Sequence, residues 1–251
     1  MFSSSLQKLV EMSRELGLPE NDLAILGEGN TSATAENGQF WLKASGTSLR
    51  TSTEDGFVLL NRAATEALLD ANLRTDTQLK SAFTSVLATG MKKQPSVEAI
   101  LHAFFLGLEE VAFVGHTHPT SVNAILCSVR AEELITRCIF PDQIVCCGPA
   151  PVFVPYTDPG LPLAREVRKT VASWMQKWGL VPKSIMIQNH GLFAVGSTPK
   201  EVIACTLMWE KTARIIIGSL ACGGPRAMNT QQSERIWTRP DEKLRQKIIN
   251  G

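Results

Sequence analysis

Three of the four histidines in this chain sit where apolar runs meet turn formers: His116 and His118 in VGHTHPTS, and His190 in MIQNHGLFAVG. On an extended strand, residues i and i+2 project to the same side. His116 and His118 are therefore expected side by side, roughly 6 to 7 Å apart at the backbone. Pro119 restricts His118 to an extended conformation. Two imidazoles aimed at one point suit a metal ion, because ring nitrogens ligate zinc at about 2.0 to 2.1 Å. An ordinary polar strand end would carry the same pair. His190 offers a third arm, and Gly191 beside it permits a tight turn and close approach of backbone. Taken alone, His190 would be a turn histidine holding a hairpin. His102 lies inside a helical pattern, where packing or a surface role is expected rather than ligation.

A carboxylate stands one helix before the His-x-His strand, Glu98 in QPSVEAILH. A helix folding back on that strand would bring it near the imidazoles. A glutamate in a first helical turn also has the commonplace role of favouring the positive helix end. Two further runs, LGEGNTS and KASGTS, are short and rich in glycine and hydroxyls. Backbone N–H groups in such turns can cradle a phosphate or carboxylate, and Lys43 adds charge. Neither run has the spacing of a P-loop or of a dinucleotide fingerprint. Glu28 complicates an anion site unless it points away or pairs with a cation such as Lys43.

The elements that must position these groups follow from periodicity. Leu6, Leu9, Val10, Met12 and Leu16 have helical spacing, and Gly17 stops it. FWLKA reads as a strand, and Asn37-Gly38 before it is a turn signal. Residues 61–72 and 77–89 read as helices. Ser96 is placed to cap a helix running through Phe104. Residues 112–118 read as a strand, 120–136 as helix, and IVCCG and VFVPY as two strands joined at Gly-Pro. Residues 162–178 form an amphipathic helix, IMIQNHGLFAVG a strand, turn and strand, and 200–219 a long apolar helix. The last thirty residues are expected to wrap the surface or a neighbour. No repeat and no linker appears, so one α/β domain is expected over 1–251, with 220–251 as a C-terminal extension.

Bulk composition bounds the function. The chain has 251 residues, 44 % hydrophobic and 20 % charged, with a formal charge of +1. No basic surplus suggests nucleic acid as a partner. No apolar window reaches the ~18 residues of a membrane span, and the first residues have no signal-peptide core. The six cysteines form no CxxC pair, as expected of reduced thiols in a cytoplasmic protein.

The ordered set GEGNTS, KASGTS, PSVE, GHTHP and NHGLFAVG resembles the class II aldolase/adducin family, which includes L-fuculose-phosphate aldolase and L-ribulose-phosphate 4-epimerase. LAILGEGNTSA, PSVEAILHAFF, VGHTHPTSVNAILCS, VPYTDPGLPLAR and TRPDEKLRQK further resemble the aldolase portion of bifunctional rhamnulose-phosphate aldolase/dehydrogenase proteins. No dehydrogenase module is expected in this chain.

The resemblance implies a central, mainly antiparallel sheet flanked by helices. It implies a divalent metal, zinc above all, on His116, His118 and His190, with Glu98 as acid/base. Gly29, Asn30, Ser45, Gly46 and Ser96 fall on positions that handle phosphate. The implied reaction is cleavage of a ketose, such as rhamnulose or fuculose 1-phosphate, into dihydroxyacetone phosphate and an aldehyde. A 4-epimerase or a keto-acid decarboxylase would use the same site, and an adducin-like module would bind without catalysis. The implied assembly is a homotetramer with sites between subunits. Two departures stand out: Val97 where fuculose-type enzymes carry a serine, and no tyrosine in RCIFPDQIVC, which offers only Asp142 and Gln143. The one tyrosine, Tyr156, lies elsewhere.

Overall fold

The computed structural model describes residues 4–73 and 75–250. Seven strands form one mixed sheet: β1 (Asn30–Thr34), β2 (Gln39–Lys43), β3 (Phe57–Asn61), β4 (Phe113–Thr117), β5 (Val152–Val154), β6 (Ser184–Ile187) and β7 (Gly191–Gly196). Their order is β3-β2-β1-β4-β7-β6-β5. All neighbours run antiparallel except β5 and β6. Helices cover both faces, as the resemblance implied.

Each face has its own core, and strand alternation decides which side chain joins which. On β6 and β7, Ile185, Ile187, Phe193 and Val195 join one cluster, while Met186, Leu192 and Ala194 join the other. The first core is covered by the helices Ala99–Phe105 and Leu161–Trp178, the second by Ser4–Leu16 and Pro199–Leu220. Val114 of β4 faces the first core, so His116, two residues on, faces it too. The helix Ala99–Phe105 is buried along its whole length on that same face. It therefore delivers its N-terminus, and Glu98 with it, to the end of β4.

Two strands lie outside the elements expected from the sequence. β1 reads NTSAT, yet four of its five residues are buried. Its hydroxyls are used internally: Thr31 Oγ1 lies 2.6 Å from Ser13 Oγ on the first helix, and Ser32 Oγ lies 2.7 Å from His102 Nδ1. β3 follows a short 3-10 turn and pairs along the whole of β2.

Three expectations are corrected. IVCCG is not a strand but the end of a helix, Pro141–Cys147. Its β-branched Ile144 and Val145 mimic a buried strand, but Pro141 sits in the first turn, where proline favours a helix start. The cysteines then pack against the helix Pro199–Leu220. Residues 120–136 are two short helices, Thr120–Leu126 and Ala131–Ile135. Ser96 is not the helix cap: the helix begins at Ala99, and Glu98 occupies the cap position without a side-chain capping bond. Ser96 Oγ instead accepts from Glu98 N at 3.3 Å.

The last helices, Thr230–Thr238 and Pro240–Asn250, lie against Pro141–Cys147. Asp142 pairs with Arg245 there. Among the described residues, no helix is long and apolar enough to cross a membrane.

Candidate metal centre and anion cavity

His116 is the next-to-last residue of β4, His118 lies one residue past the strand, and His190 sits in the turn between β6 and β7. Their ligand atoms lie within 4.8 Å of one another. His116 Nδ1 lies 3.1 Å from the Leu192 carbonyl, to which it donates, leaving Nε2 as a bare lone pair. The His116 ring also stacks on Phe193 at 4.1 Å. The His190 carbonyl accepts from Asn123 Nδ2 at 3.0 Å, and Asn189 takes a positive φ of 56° to make the turn. Gly191 cannot carry a side chain: a Cβ there would stand 2.7 Å from the His118 ring and 2.6 Å from the Thr117 carbonyl.

Glu98 meets this cluster. Its Oε1 lies 3.3 Å from His116 Nε2 and 3.2 Å from His190 Nε2. The other oxygen, Oε2, accepts from Asn30 Nδ2 at 2.6 Å. Burial would raise the Glu98 carboxyl, but His116, His190 and the Asn30 amide outweigh it and hold it below its ordinary value. Burial brings His116 down to about 3, against the pull of Glu98, and lowers His118 as well. The imidazole of His116 is thus neutral at neutral pH, as ligation requires.

The donor set fits a divalent cation. His116 Nε2 and His118 Nε2 stand 3.0 Å apart. Glu98 Oε1 is buried without a hydrogen-bond partner. Lone pairs and a carboxylate oxygen converging with too few protons between them repel one another unless a positive charge stands among them. A three-histidine cluster suitable for a divalent metal is therefore present.

Beside it opens a cavity of about 260 Å³ lined by Gly29, Asn30, Ser45, Gly46 and Ser96. Every anion-site residue expected from the sequence lines it, together with Lys43, Glu98 and the three histidines. Gly29 adopts φ +67°, and a Cβ there would stand 2.5 Å from the His116 carbonyl. The glycine loop thus packs directly on the strand end that carries the histidines. Lys43 is buried, and its ammonium donates to the Thr47 carbonyl. Burial brings Lys43 down to about 8, partly opposed by Glu98. Glu28 turns back on its own loop, with Oε2 accepting from Ile25 N at 3.0 Å. Its other oxygen, Oε1, stands 4.0 Å from His118 Nδ1, so Glu28 pairs with a histidine of the cluster rather than with Lys43.

Val97 lines the cavity and is 61 % exposed. Tyr156 is exposed and its hydroxyl bonds Asp158, so it takes no part in the cavity lining. Asp142 and Gln143 lie on the helix behind the sheet, away from the cavity. Sequence reasoning did not foresee the Asn30–Glu98 bond or the His102 contacts. One signal was available: Glu98 and His102 are four residues apart, one turn along a single helix face.

A family model described as Class II Aldolase and Adducin N-terminal domain matches residues 7–217. The chain belongs to this family. Solved structures with the same fold include an N-terminal class II aldolase domain of a conserved Thermoplasma acidophilum protein. It has TM-score 0.68 and 27 % identity, covering 86 % of this chain and 95 % of that one. An L-fuculose 1-phosphate aldolase superposes with TM-score 0.70 at 19 % identity, over 98 % of both chains. An L-fuculose-1-phosphate aldolase from Thermus thermophilus gives TM-score 0.60 at 15 % identity, over 89 % of this chain and 98 % of that one. No curated protein sequence matches the chain at comparable significance.

Proposed function

We propose that the protein is a metal-dependent aldolase that cleaves a ketose 1-phosphate, such as rhamnulose or fuculose 1-phosphate, into dihydroxyacetone phosphate and an aldehyde. The observation that carries this reading is the convergence of three imidazoles and the unpartnered Glu98 Oε1 in one cavity. The motif likeness to the rhamnulose-phosphate branch favours a six-carbon deoxyketose.

His116, His118 and His190 would hold the ion, zinc by preference of an imidazole-rich set. Bound there, the ion supplies Lewis acidity, drawing electron density from the substrate's carbonyl. Gly29 and Gly46 hold the phosphate through backbone N–H groups and Ser45 and Ser96 through their hydroxyls; Asn30 frames the pocket with its side chain committed to Glu98 and Ser96, and Lys43 adds a positive charge. The phosphate fixes the distance from the sugar's C3 to Glu98. When the C3–C4 bond breaks, C4 becomes the aldehyde carbon after its hydroxyl loses a proton. The electron pair stays on C3; Glu98 Oε1, a carboxylate at rest, takes up the proton that the C4 hydroxyl loses and delivers it to C3. Glu98 performs this from a fixed position, because Oε2 is committed to Asn30.

A homotetramer with sites between subunits and a cytoplasmic location complete the proposal. The exposed apolar residues Ile25, Leu26 and Val97 around the cavity loops support a covered surface there. The test is synthesis: zinc-loaded protein, dihydroxyacetone phosphate and a panel of aldehydes including lactaldehyde. A new ketose phosphate supports the reading. Epimerisation of a pentulose phosphate or release of CO₂ from a keto acid, with no carbon–carbon bond formed, overturns it.

A further inference from the structure

His102 is buried to 0 % exposure inside the helix Ala99–Phe105 and lies too deep to touch a substrate. It nevertheless uses both ring nitrogens. Nδ1 stands 2.7 Å from Ser32 Oγ, and Nε2 bonds Asn30 Oδ1. Asn30 then reaches Glu98 Oε2 at 2.6 Å and Ser96 Oγ at 3.1 Å through Nδ2.

The polarity of this chain is determined link by link. A carboxylate oxygen offers only lone pairs, so the Asn30 group facing Glu98 must be the NH₂. The Asn30 oxygen then faces His102, and an amide oxygen only accepts. His102 Nε2 must therefore carry the proton. Its Nδ1 is left as an acceptor, and Ser32 must donate to it.

We infer that His102 is a positioning residue: its Nε2–H locks the Asn30 amide in the one orientation that presents NH₂ to Glu98. A flipped Asn30 would set its oxygen against the Glu98 carboxylate and its NH₂ against the proton held by His102. Every proton in the chain points toward Glu98 and none can be passed on without reversing all three links. Glu98 Oε2 is thus an anchored acceptor, and proton traffic is confined to Oε1, on the cavity side. The inference rests on the acid/base role proposed for Glu98, but the lock itself is independent of any reaction.

The experiment has two arms. In the first, nitrogen NMR on protein labelled at its four histidines reports the His102 tautomer, assigned by the signal lost in His102→Gln. A protonated Nε2 with a bare Nδ1 is expected. A protonated Nδ1, or a doubly protonated ring, overturns the inference whatever the enzyme does. The second arm compares His102→Gln, whose amide nitrogen replaces Nε2, with His102→Asn, whose amide reaches only the Nδ1 position. Both should keep zinc stoichiometry. His102→Gln should exchange the C3 hydrogen of dihydroxyacetone phosphate with deuterium within about threefold of the parent, and His102→Asn about 100-fold more slowly, the cost of an ångström-scale misplacement. Equal rates in two folded, zinc-loaded variants overturn the inference. Should the parent protein exchange nothing, the aldolase reading falls and the tautomer alone decides. The tautomer likewise decides if either variant fails to fold.

Discussion

Asn30 and His116 stand directly opposite each other across the ladder between β1 and β4. Partners in an antiparallel pair project to the same face with Cβ atoms about 4.5 to 5.5 Å apart. One strand register therefore delivers both the holder of Glu98 and a candidate metal ligand. A slip of one residue would send both to the other face.

Replacing His116 removes the deepest of the three imidazoles. His116→Ala is expected to lower zinc affinity by more than about 100-fold, beyond the effect of losing a neighbour of a ligand. Carbon–carbon cleavage should fall with it. Zinc titration against a coloured chelator checks this, and a variant that keeps both zinc and turnover rules out His116 as a ligand.

Acid should destabilise the metal-free protein in a defined window. Burial holds His102 at about 4 and His116 at about 3 in the folded chain. The unfolded chain binds protons at these rings from about pH 6.5 downward. Between those values the unfolded state holds more protons, so stability falls as pH falls. The loss on going from pH 7.5 to 4.5 is expected to be on the order of a few kcal/mol. Glu98, also lowered, adds a loss of the same sign below its ordinary value. Urea midpoints across that range measure it; a flat profile would show that these rings are charged when folded.

Gly29 and Gly38 share nearly the same φ, +67° and +69°, but differ in surroundings. A Cβ on Gly38 meets nothing within 4 Å, whereas one on Gly29 meets the His116 carbonyl at 2.5 Å. Gly38→Ala should cost about 1 kcal/mol from the backbone alone. Gly29→Ala should cost roughly 2 kcal/mol or more and weaken zinc binding, because the strand end must move. Equal denaturation midpoints and equal zinc affinity for the two variants would show that the loop does not brace the histidines.

Lys43 tests the anion cavity. Lys43→Met should raise KM for a phosphorylated substrate about tenfold or more, the worth of one charge-assisted bond. The unphosphorylated sugar should be affected much less. In the unaltered protein, burial brings Lys43 down to about 8, so KM should climb as pH rises through that value and the charge is lost. A KM that Lys43→Met leaves unchanged for both substrates would place the anion elsewhere.

The parts of the fold legible in the sequence are those where one force dominates. Strand alternation predicted the shared face of His116 and His118, and glycine after His190 predicted the tight hairpin. The illegible parts are those where tertiary contacts replace the usual signal. β1 is a buried strand made of Asn30, Thr31, Ser32, Ala33 and Thr34; its polarity is satisfied by Ser13 and His102, which no local pattern reveals. Ile144 and Val145 carry strand propensity, yet packing against the helix Pro199–Leu220 and the preceding proline make them helical. The candidate site shows the same division. The histidines and Glu98 were visible as residue types at suggestive positions, but Asn30 as the partner of Glu98 depends on a contact spanning 68 residues.

β4 is the middle strand of seven, and its neighbours come from far along the chain in both directions. Its ladders join residues 30–33 on one side and 192–196 on the other. Pairings of such long sequence separation form late and slowly, because the loop entropy must be met before they are rewarded. The histidines can therefore converge only after the sheet has closed around β4. An ion added to the unfolded chain has no assembled cluster to bind, so its uptake during refolding would report the arrival of native topology rather than start it.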